Sequence, residues 1–181
     1  MPILTEPTVA VHRSFLAAWD EFAAEGERWM GARTIAGAEE EWTRRQAADP
    51  AEFGRLVEAI RSEADPGTEL GDDLVHQTVL WYVDGDEYLG RLSVRHRLTP
   101  MLTELGGHIT YAVRPSARRQ GHATRMLAQG LPVAAGLGID PVLITCDPDN
   151  VGSRKVIEAA GGELEDERHG KLRFWVPTHV S

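Results

Sequence analysis

Apolar side chains recur in steps of three and four near the start of the chain and in steps of two in its middle. Phe15, Leu16, Trp19 and Phe22 fall on one face of a 3.6-residue repeat behind Ser14, a fair N-cap, which predicts a helix that fades at Gly26. Asp49-Pro50 reads as an N-cap followed by a first-turn proline. Phe53, Leu56, Val57 and Ile60 then continue one apolar side until Asp65-Pro66-Gly67 stops it. Between these two segments, Glu39–Gln46 sets acids early and bases late, as the helix dipole favours, and Trp29–Ile35 reads as loop with some helix. Thr8–His12 is suited to a short first strand.

The middle reads as a meander. Val75–Val83 and Tyr88–Arg97 are strand-like around the hairpin turn Asp84-Gly85-Asp86-Glu87, and Thr99–Gly106 is a loop before a strand over 107–113. Helical spacing returns over 121–138, with Pro132 predicting a kink. An apolar strand, Val142–Asp147, a helix after Asn150, and a closing hairpin around Arg168-His169-Gly170-Lys171 complete the order. Strands and helices so mixed predict one α/β domain over 1–181, with a mostly antiparallel sheet flanked by helices. A helix-rich part over 1–70 precedes a motif-bearing core over 75–176.

Composition narrows the class. At 181 residues, 42% apolar, the chain is long enough for a real core, and no apolar run nears the ~18 residues of a membrane span. The start, Met1–Glu6, lacks the basic and apolar regions of a signal peptide. A single cysteine, Cys146, forbids an internal disulfide and fits a reducing cytoplasm; its strand setting reads as a packed thiol. Net charge is -9, without the basic stripe that duplex binding needs, so neither nucleic acid nor membrane is expected as a partner. The seven histidines are scattered, with no i, i+4 pair and no cysteine cluster, so no metal is expected.

The candidate chemistry lies at Arg118-Arg119-Gln120-Gly121-His122-Ala123. A strand, a short glycine turn and a helix follow one another there, so several backbone N–H groups converge at the positive end of a helix dipole, where a phosphate or pyrophosphate is favoured. The pattern is neither a P-loop nor an opening G-x-G-x-x-G. It reads R-x-x-G-x-A and resembles the acetyl-coenzyme A signature of the GNAT N-acetyltransferase family. Strand 142–147, Asn150, the helix behind it and Gly161-Gly162 follow in the order that family shows. The resemblance covers about residues 75–176 and is nearest to bacterial acetyltransferases of the family.

The resemblance implies a GNAT fold in which two splayed parallel strands, 107–113 and 142–147, flank the cofactor. It implies that amides near Ala112 and Val113 hold the pantetheine and polarise the thioester carbonyl. Arg118, Arg119, Gln120, Gly121, His122, Ala123 and Thr124 would take the pyrophosphate. Asn150 matches the residue that contacts the pantetheine arm, and equally reads as a helix N-cap. Arg118 and Arg119 bind phosphate or are solvated surface. The family often protonates the leaving thiolate with a Tyr seven residues after the Asn; this chain has Ile157 there. Ser153 is the nearest polar substitute or a small packing residue, and Tyr111 is a second donor or a strand aromatic. His108 and Glu104 are candidates for the base; the first also reads as structural and the second as exposed loop.

Three functions follow from the resemblance. The first is acetyl-coenzyme A-dependent acetylation of a small-molecule amine, for which a closed acidic pocket over 14–60 would speak. The second is the same chemistry on a protein or peptide amine, for which a groove would speak. The third is a non-catalytic acyl-coenzyme A sensor. A homodimer is compatible with each. Trp19, Trp29, Trp42 and Phe22 read as core first, with an amine pocket as the alternative.

Overall fold

The computed structural model describes residues 1–26, 29, 31, 33–36 and 40–179. Met30, Ala32 and Glu39, which two of the predicted segments include, lie outside the described residues. Residues 75–97 fold as an antiparallel hairpin, with β4 and β5 at Gln77–Asp84 and Glu87–Arg95. In chain order the other elements are β1 (Ile3–Thr5), α1 (His12–Ala24), β2 (Arg33–Thr34), β3 (Glu40–Glu41), α2 (Arg44–Ala48), α3 (Pro50–Ser62), β6 (Ile109–Val113), α4 (His122–Gly136), β7 (Val142–Cys146), α5 (Val151–Ala159), β8 (Glu163–Arg168) and β9 (Lys171–Val176). Strands β1, β4, β5 and β6 form one antiparallel sheet in the order β1-β4-β5-β6, and β7-β9-β8 form a second.

The near-continuous apolar run of β4 has a simple cause: both faces of its sheet are covered. Val79, Trp81 and Val83 pack against Phe15, Phe53 and Leu56 of α1 and α3. Tyr82, with Leu92 and Val94 of β5, packs on the other face against Met126, Leu127 and Phe174. Trp42 is buried in this first cluster, Trp19 and Trp29 are partly buried against it, and Trp29 stacks at 5.2 Å between ring centroids on Phe22, which is buried and lines the first of the two cavities described below. Arg91, Ser93 and Arg95 pair with Trp81, Val79 and Gln77 across the ladder and share their face, the α1/α3 face.

Two expectations change. Thr8–His12 is not a strand: Val9–Val11 make one 3₁₀ turn with Thr8 as N-cap, because Val11 is drawn fully into the core. Ile3–Thr5 pairs with β4 instead. The helix expected over 39–46 begins only at Arg44, since Thr43 and Gln46 form a reciprocal capping box: Gln46 N–H donates to Thr43 Oγ1 at 3.1 Å and Thr43 N–H to Gln46 Oε1 at 2.9 Å. Glu40–Glu41 pairs as β3 with β2. Helix α4 runs through Pro132, and the 99–106 loop contains a wide turn over Leu102–Gly106.

Arg114, 8% exposed, fastens α1 to the end of β6. Its guanidinium donates to Glu21 Oε1 at 2.5 Å, Ser14 Oγ at 3.0 Å and the Tyr88 carbonyl at 3.2 Å. Burial works against ionised Glu21, but the Arg114 and Ser116 hydrogen bonds outweigh it and hold the carboxyl below its ordinary value. A lowered carboxyl contributes stability above the unfolded pKa and loses it as pH falls through the folded one. Arg114→Met, which strands Glu21 and the Tyr88 carbonyl, is expected to cost about 3 kcal/mol in urea unfolding at neutral pH. The difference from the native chain should narrow in acid; a constant difference would refute the pairing.

Candidate active site

Helix α4 starts at Gly121, whose φ of +76° places it in the left-handed region that glycine enters without penalty. Side chains cap α2, α3 and α5 at Thr43, Asp49 and Asn150, but none caps α4. The first-turn N–H groups of a helix have no carbonyl ahead of them. Here they meet a cavity of about 560 Å³ lined by the turn, by β6 at Tyr111–Val113, and by Asn150 and Ser153 of α5. An uncapped, positively polarised helix start opening on such a space fits a diphosphate.

The two sheets come together at one end and part beyond it. Gly107, at φ +68°, approaches β7 so closely that a Cβ there would stand 2.5 Å from the Leu143 carbonyl oxygen. His108 N–H donates to that oxygen at 2.7 Å, and His108 Nδ1 accepts the Leu143 N–H at 2.9 Å. The link is an isolated bridge of antiparallel type, Gly107 with Ile144, and no ladder joins β6 to β7. On its other side β6 is anchored by Arg95 N–H to the His108 carbonyl and by Arg114 N–H to the Leu89 carbonyl. Antiparallel pairing alternates, so the even-numbered residues of β6 turn their backbone to β5, and Tyr111 and Val113 aim their N–H groups into the gap.

A second cavity, about 590 Å³, opens on the far side of that gap. Tyr111, Asn150 and Ser153 line both spaces, so the two meet at these three residues. Tyr111 Oη lies 2.8 Å from Ser153 Oγ. Burial, only partly offset by that hydrogen bond, pushes the Tyr111 hydroxyl up to about 12. It therefore keeps its proton throughout the neutral range, as an acid must.

The structure sorts the predicted site residues. Arg118, Arg119, Gly121, His122, Ala123 and Thr124 line the first cavity with Ala112, Val113, Asn150, Ser153 and Tyr111. Gln120 does not line it; its carbonyl accepts from Arg125 at 2.7 Å. Arg118 is committed elsewhere, donating to the Val113 carbonyl at 3.1 Å and to Glu25 at 3.0 Å. Asn150 Oδ1 caps α5 by accepting the Ser153 N–H at 3.0 Å. Ile157 is fully buried in the core.

His108 and Glu104 stand apart, lining neither cavity. The bond from Leu143 fixes the His108 proton on Nε2 and occupies Nδ1, while burial and then Arg95 lower its pKa, so it clips β6 to β7 as a neutral ring. Glu104 pairs with Arg168 at 2.9 Å. Sequence reasoning missed Arg91, Ser93, Arg95 and Gln77 in the second cavity. For the three on β5 the signal was present: Arg91, Ser93 and Arg95 stand at every second position of a strand whose other side, Leu92 and Val94, is apolar.

Among the described residues no group of His, Cys, Asp or Glu is arranged to hold a metal, and no helix is long and apolar enough to cross a membrane. A family model described as acetyltransferase (GNAT) domain matches residues 6–163. No curated protein matches the chain. Among solved structures, RimJ of Mycobacterium smegmatis in complex with CoA-disulfide is similar with a TM-score of 0.64 at 17% identity, over 97% of this chain and 81% of that one. RimL, a ribosomal L7/L12 alpha-N-protein acetyltransferase in complex with coenzyme A, gives 0.60 at 16%, over 96% and 92%. MccE, a microcin C7 self-immunity acetyltransferase in complex with acetyl-CoA and AMP, gives 0.59 at 12%, over 97% and 92%. At these identities the likeness is one of fold.

Proposed function

The chain belongs to the GNAT acetyltransferase family, and from that premise we propose that it acetylates the α-amine of a protein or peptide. It is an N-acetyltransferase using acetyl-coenzyme A, and the proposal concerns the acceptor and the residue roles. One observation carries the choice. The three residues where the cavities meet, Tyr111, Asn150 and Ser153, include no base. Of the two carboxylates lining the second cavity, Asp147 is paired with Lys171 and Asp73 is exposed at its outer side, away from where the cavities meet. The acceptor must then arrive neutral. An α-amine, with a pKa near ~8, does so readily at mildly alkaline pH, whereas a lysine amine near ~10.4 does not. The small-molecule amine gives way as first reading. Its expected acidic pocket is not what the second cavity offers, and RimL, one of the similar structures, is described as acting on a protein α-amine.

When bound, acetyl-coenzyme A supplies the activated acyl group. The first turn of α4, opened by Gly121, grips the diphosphate, with Arg119 at its rim. The Tyr111 and Val113 N–H groups, unpaired by β5, orient the pantetheine arm and polarise the acyl carbonyl. Asn150 and Ser153 line the passage to the acceptor side, and the Tyr111 hydroxyl, hydrogen-bonded to Ser153 Oγ, holds the proton for the departing thiolate. Both core clusters share the β4–β5 hairpin, which supports reading residues 1–181 as one domain.

A panel of free-N-terminus peptides, α-blocked lysine peptides and polyamines, followed by thiol release, tests the acceptor. Free α-amines should be acetylated at least about tenfold faster in kcat/KM, rising with pH to a plateau near ~8. Preference for a polyamine or a blocked lysine peptide would return the acceptor to the other class.

A further inference from the structure

We propose that Gln77 reads the backbone of the acceptor: its side-chain carbonyl, turned into the second cavity by the carboxylate of Glu63, accepts the N–H of the third or fourth residue of an incoming peptide. This rests on the peptide-acceptor reading above and says where the chain behind the amine is gripped. Gln77 opens β4 and is 8% exposed. It is held twice to Glu63, the residue that closes α3. Gln77 N–H donates to the Glu63 carbonyl at 3.0 Å, and Gln77 Nε2 donates to Glu63 Oε2 at 2.7 Å.

Glu63 is fully buried and lines neither cavity; its other oxygen accepts the Ile35 N–H at 3.0 Å. Burial pushes the Glu63 pKa up, while the two N–H donors and the charges of Arg91 and Arg33 work against that. A charged carboxylate can only accept, so the Gln77 amide has one permitted orientation, with its NH₂ toward Glu63. Oε1, on the other arm of the same planar group, is left on the side of the cavity that Gln77 lines. No group among the described residues donates to that oxygen. The cross-strand partner, Arg95, donates instead to the Gly106 carbonyl at 3.2 Å and the Gly107 carbonyl at 2.9 Å, and nearby Ser93 pairs with Thr110 at 2.7 Å. Nor does Oε1 belong to the sealed polar atoms that lack a partner, so it opens on the cavity. A mostly buried carbonyl with one open side is a ready partner for an N–H entering there.

The ladder sets which donor arrives. Gln77 pairs with Arg95 and Tyr111 with Leu92, so the two stand three rungs apart along the sheet, on strands separated by β5. At ~3.4 Å per rung and ~4.8 Å per strand spacing, their backbones lie about 14 Å apart. A glutamine side chain, with bonds of about 1.5 Å, covers about 4 Å of that. The remaining ~10 Å is about three residues of extended peptide at ~3.3 Å each. With the amine at Tyr111 and Ser153, the amide N–H that meets Oε1 belongs to the third or fourth residue. A small amine at the same point does not span the distance.

The test is an ester scan. C-terminally amidated peptides beginning Ser-Ala-Ala-Ala-Ala are made with one backbone N–H replaced by an ester oxygen, at the second, third, fourth or fifth residue in turn. Replacement at the third or fourth should lower kcat/KM about tenfold, mainly through KM, with the second and fifth close to the all-amide peptide. In Gln77→Met, which keeps the length of the side chain without its carbonyl, the all-amide peptide should fall by a similar factor and the sensitive ester should lose nothing further. In Glu63→Gln, which no longer dictates the orientation of the Gln77 amide, the ester penalty should shrink. Calorimetric binding of coenzyme A reports that each variant is folded, and the scan on the native protein decides the matter if one is not. Equal turnover of all four esters overturns this proposal and leaves the peptide-acceptor reading standing, as does an ester penalty that persists in full in Gln77→Met. Turnover of a polyamine with every peptide inert overturns both.

Discussion

Tyr111→Phe is expected to lower kcat by about a hundredfold or more while leaving the affinity for coenzyme A near that of the native protein. The substitution keeps the ring and removes only the hydroxyl, whose partner is Ser153 Oγ at 2.8 Å. The hydroxyl sits where the two cavities join, and burial raises its pKa to about 12, so it enters every turnover protonated. A leaving thiolate must gain a proton, and the residue seven positions after Asn150, Ile157, is buried in the core and has none to give. Ser153→Ala should have a smaller effect, because it removes the hydrogen bond that offsets burial and leaves the donor in place. Stopped-flow measurement of thiol release at saturating substrates is the readout. Native kcat in Tyr111→Phe would mean that the proton comes from elsewhere. The pH profile separates the cases further: with Tyr111 as acid, activity should climb with deprotonation of the acceptor amine and not fall again until the hydroxyl itself titrates in strong alkali.

The second large effect belongs to Gly121. Gly121→Glu should raise the KM for acetyl-coenzyme A at least about a hundredfold, with the loss reproduced as weakened binding of coenzyme A in calorimetry. Three costs combine. At φ +76° any side chain is strained, by about 1 kcal/mol for alanine. A Cβ would stand 2.9 Å from Arg125 Nη1, displacing the group that holds the Gln120 carbonyl and so the shape of the turn. The added carboxylate would repel the diphosphate at the positive end of α4. Gly121→Ala carries the first two costs without the third, so the difference between the variants isolates the electrostatic part. Equal KM values in the two would mean that the helix start does not face the diphosphate, and the cofactor assignment would fall.

Much of this was visible in the chain. The caps at Asp49 and Asn150, the hairpin at Asp84–Glu87 and the glycine turn at 118–123 are local devices, each decided by a few neighbouring residues, and each is found where its residues stand. Thr8–His12 shows where local reading fails. Its alternation of β-branched and small residues suits a strand, but Val11 is needed in the core and the edge of β4 is taken by Ile3–Thr5. The segment 39–46 fails for a related reason: charge order favours a helix throughout, but the Thr43–Gln46 capping box fixes its start and the Glu40–Glu41 backbone has a strand partner in Arg33–Thr34.

The roles of the polar residues divide in the same way. Spacing along the chain was enough to mark Gly121, Asn150 and the strands around them, because the backbone geometry of a turn or a cap is set within a few residues. It could not place His108, whose Nδ1 is occupied by an amide 35 positions away, nor bring Tyr111 to Ser153, 42 positions away. It could not show that Arg91 and Arg95, strand residues of an acidic protein, come to line one cavity with Thr110 and Ile144. Local propensity acts over one turn or one pleat. The parting of β6 from β7, and with it the meeting of two cavities at three side chains, arises only when helices and strands from the whole chain are packed on both faces of one sheet.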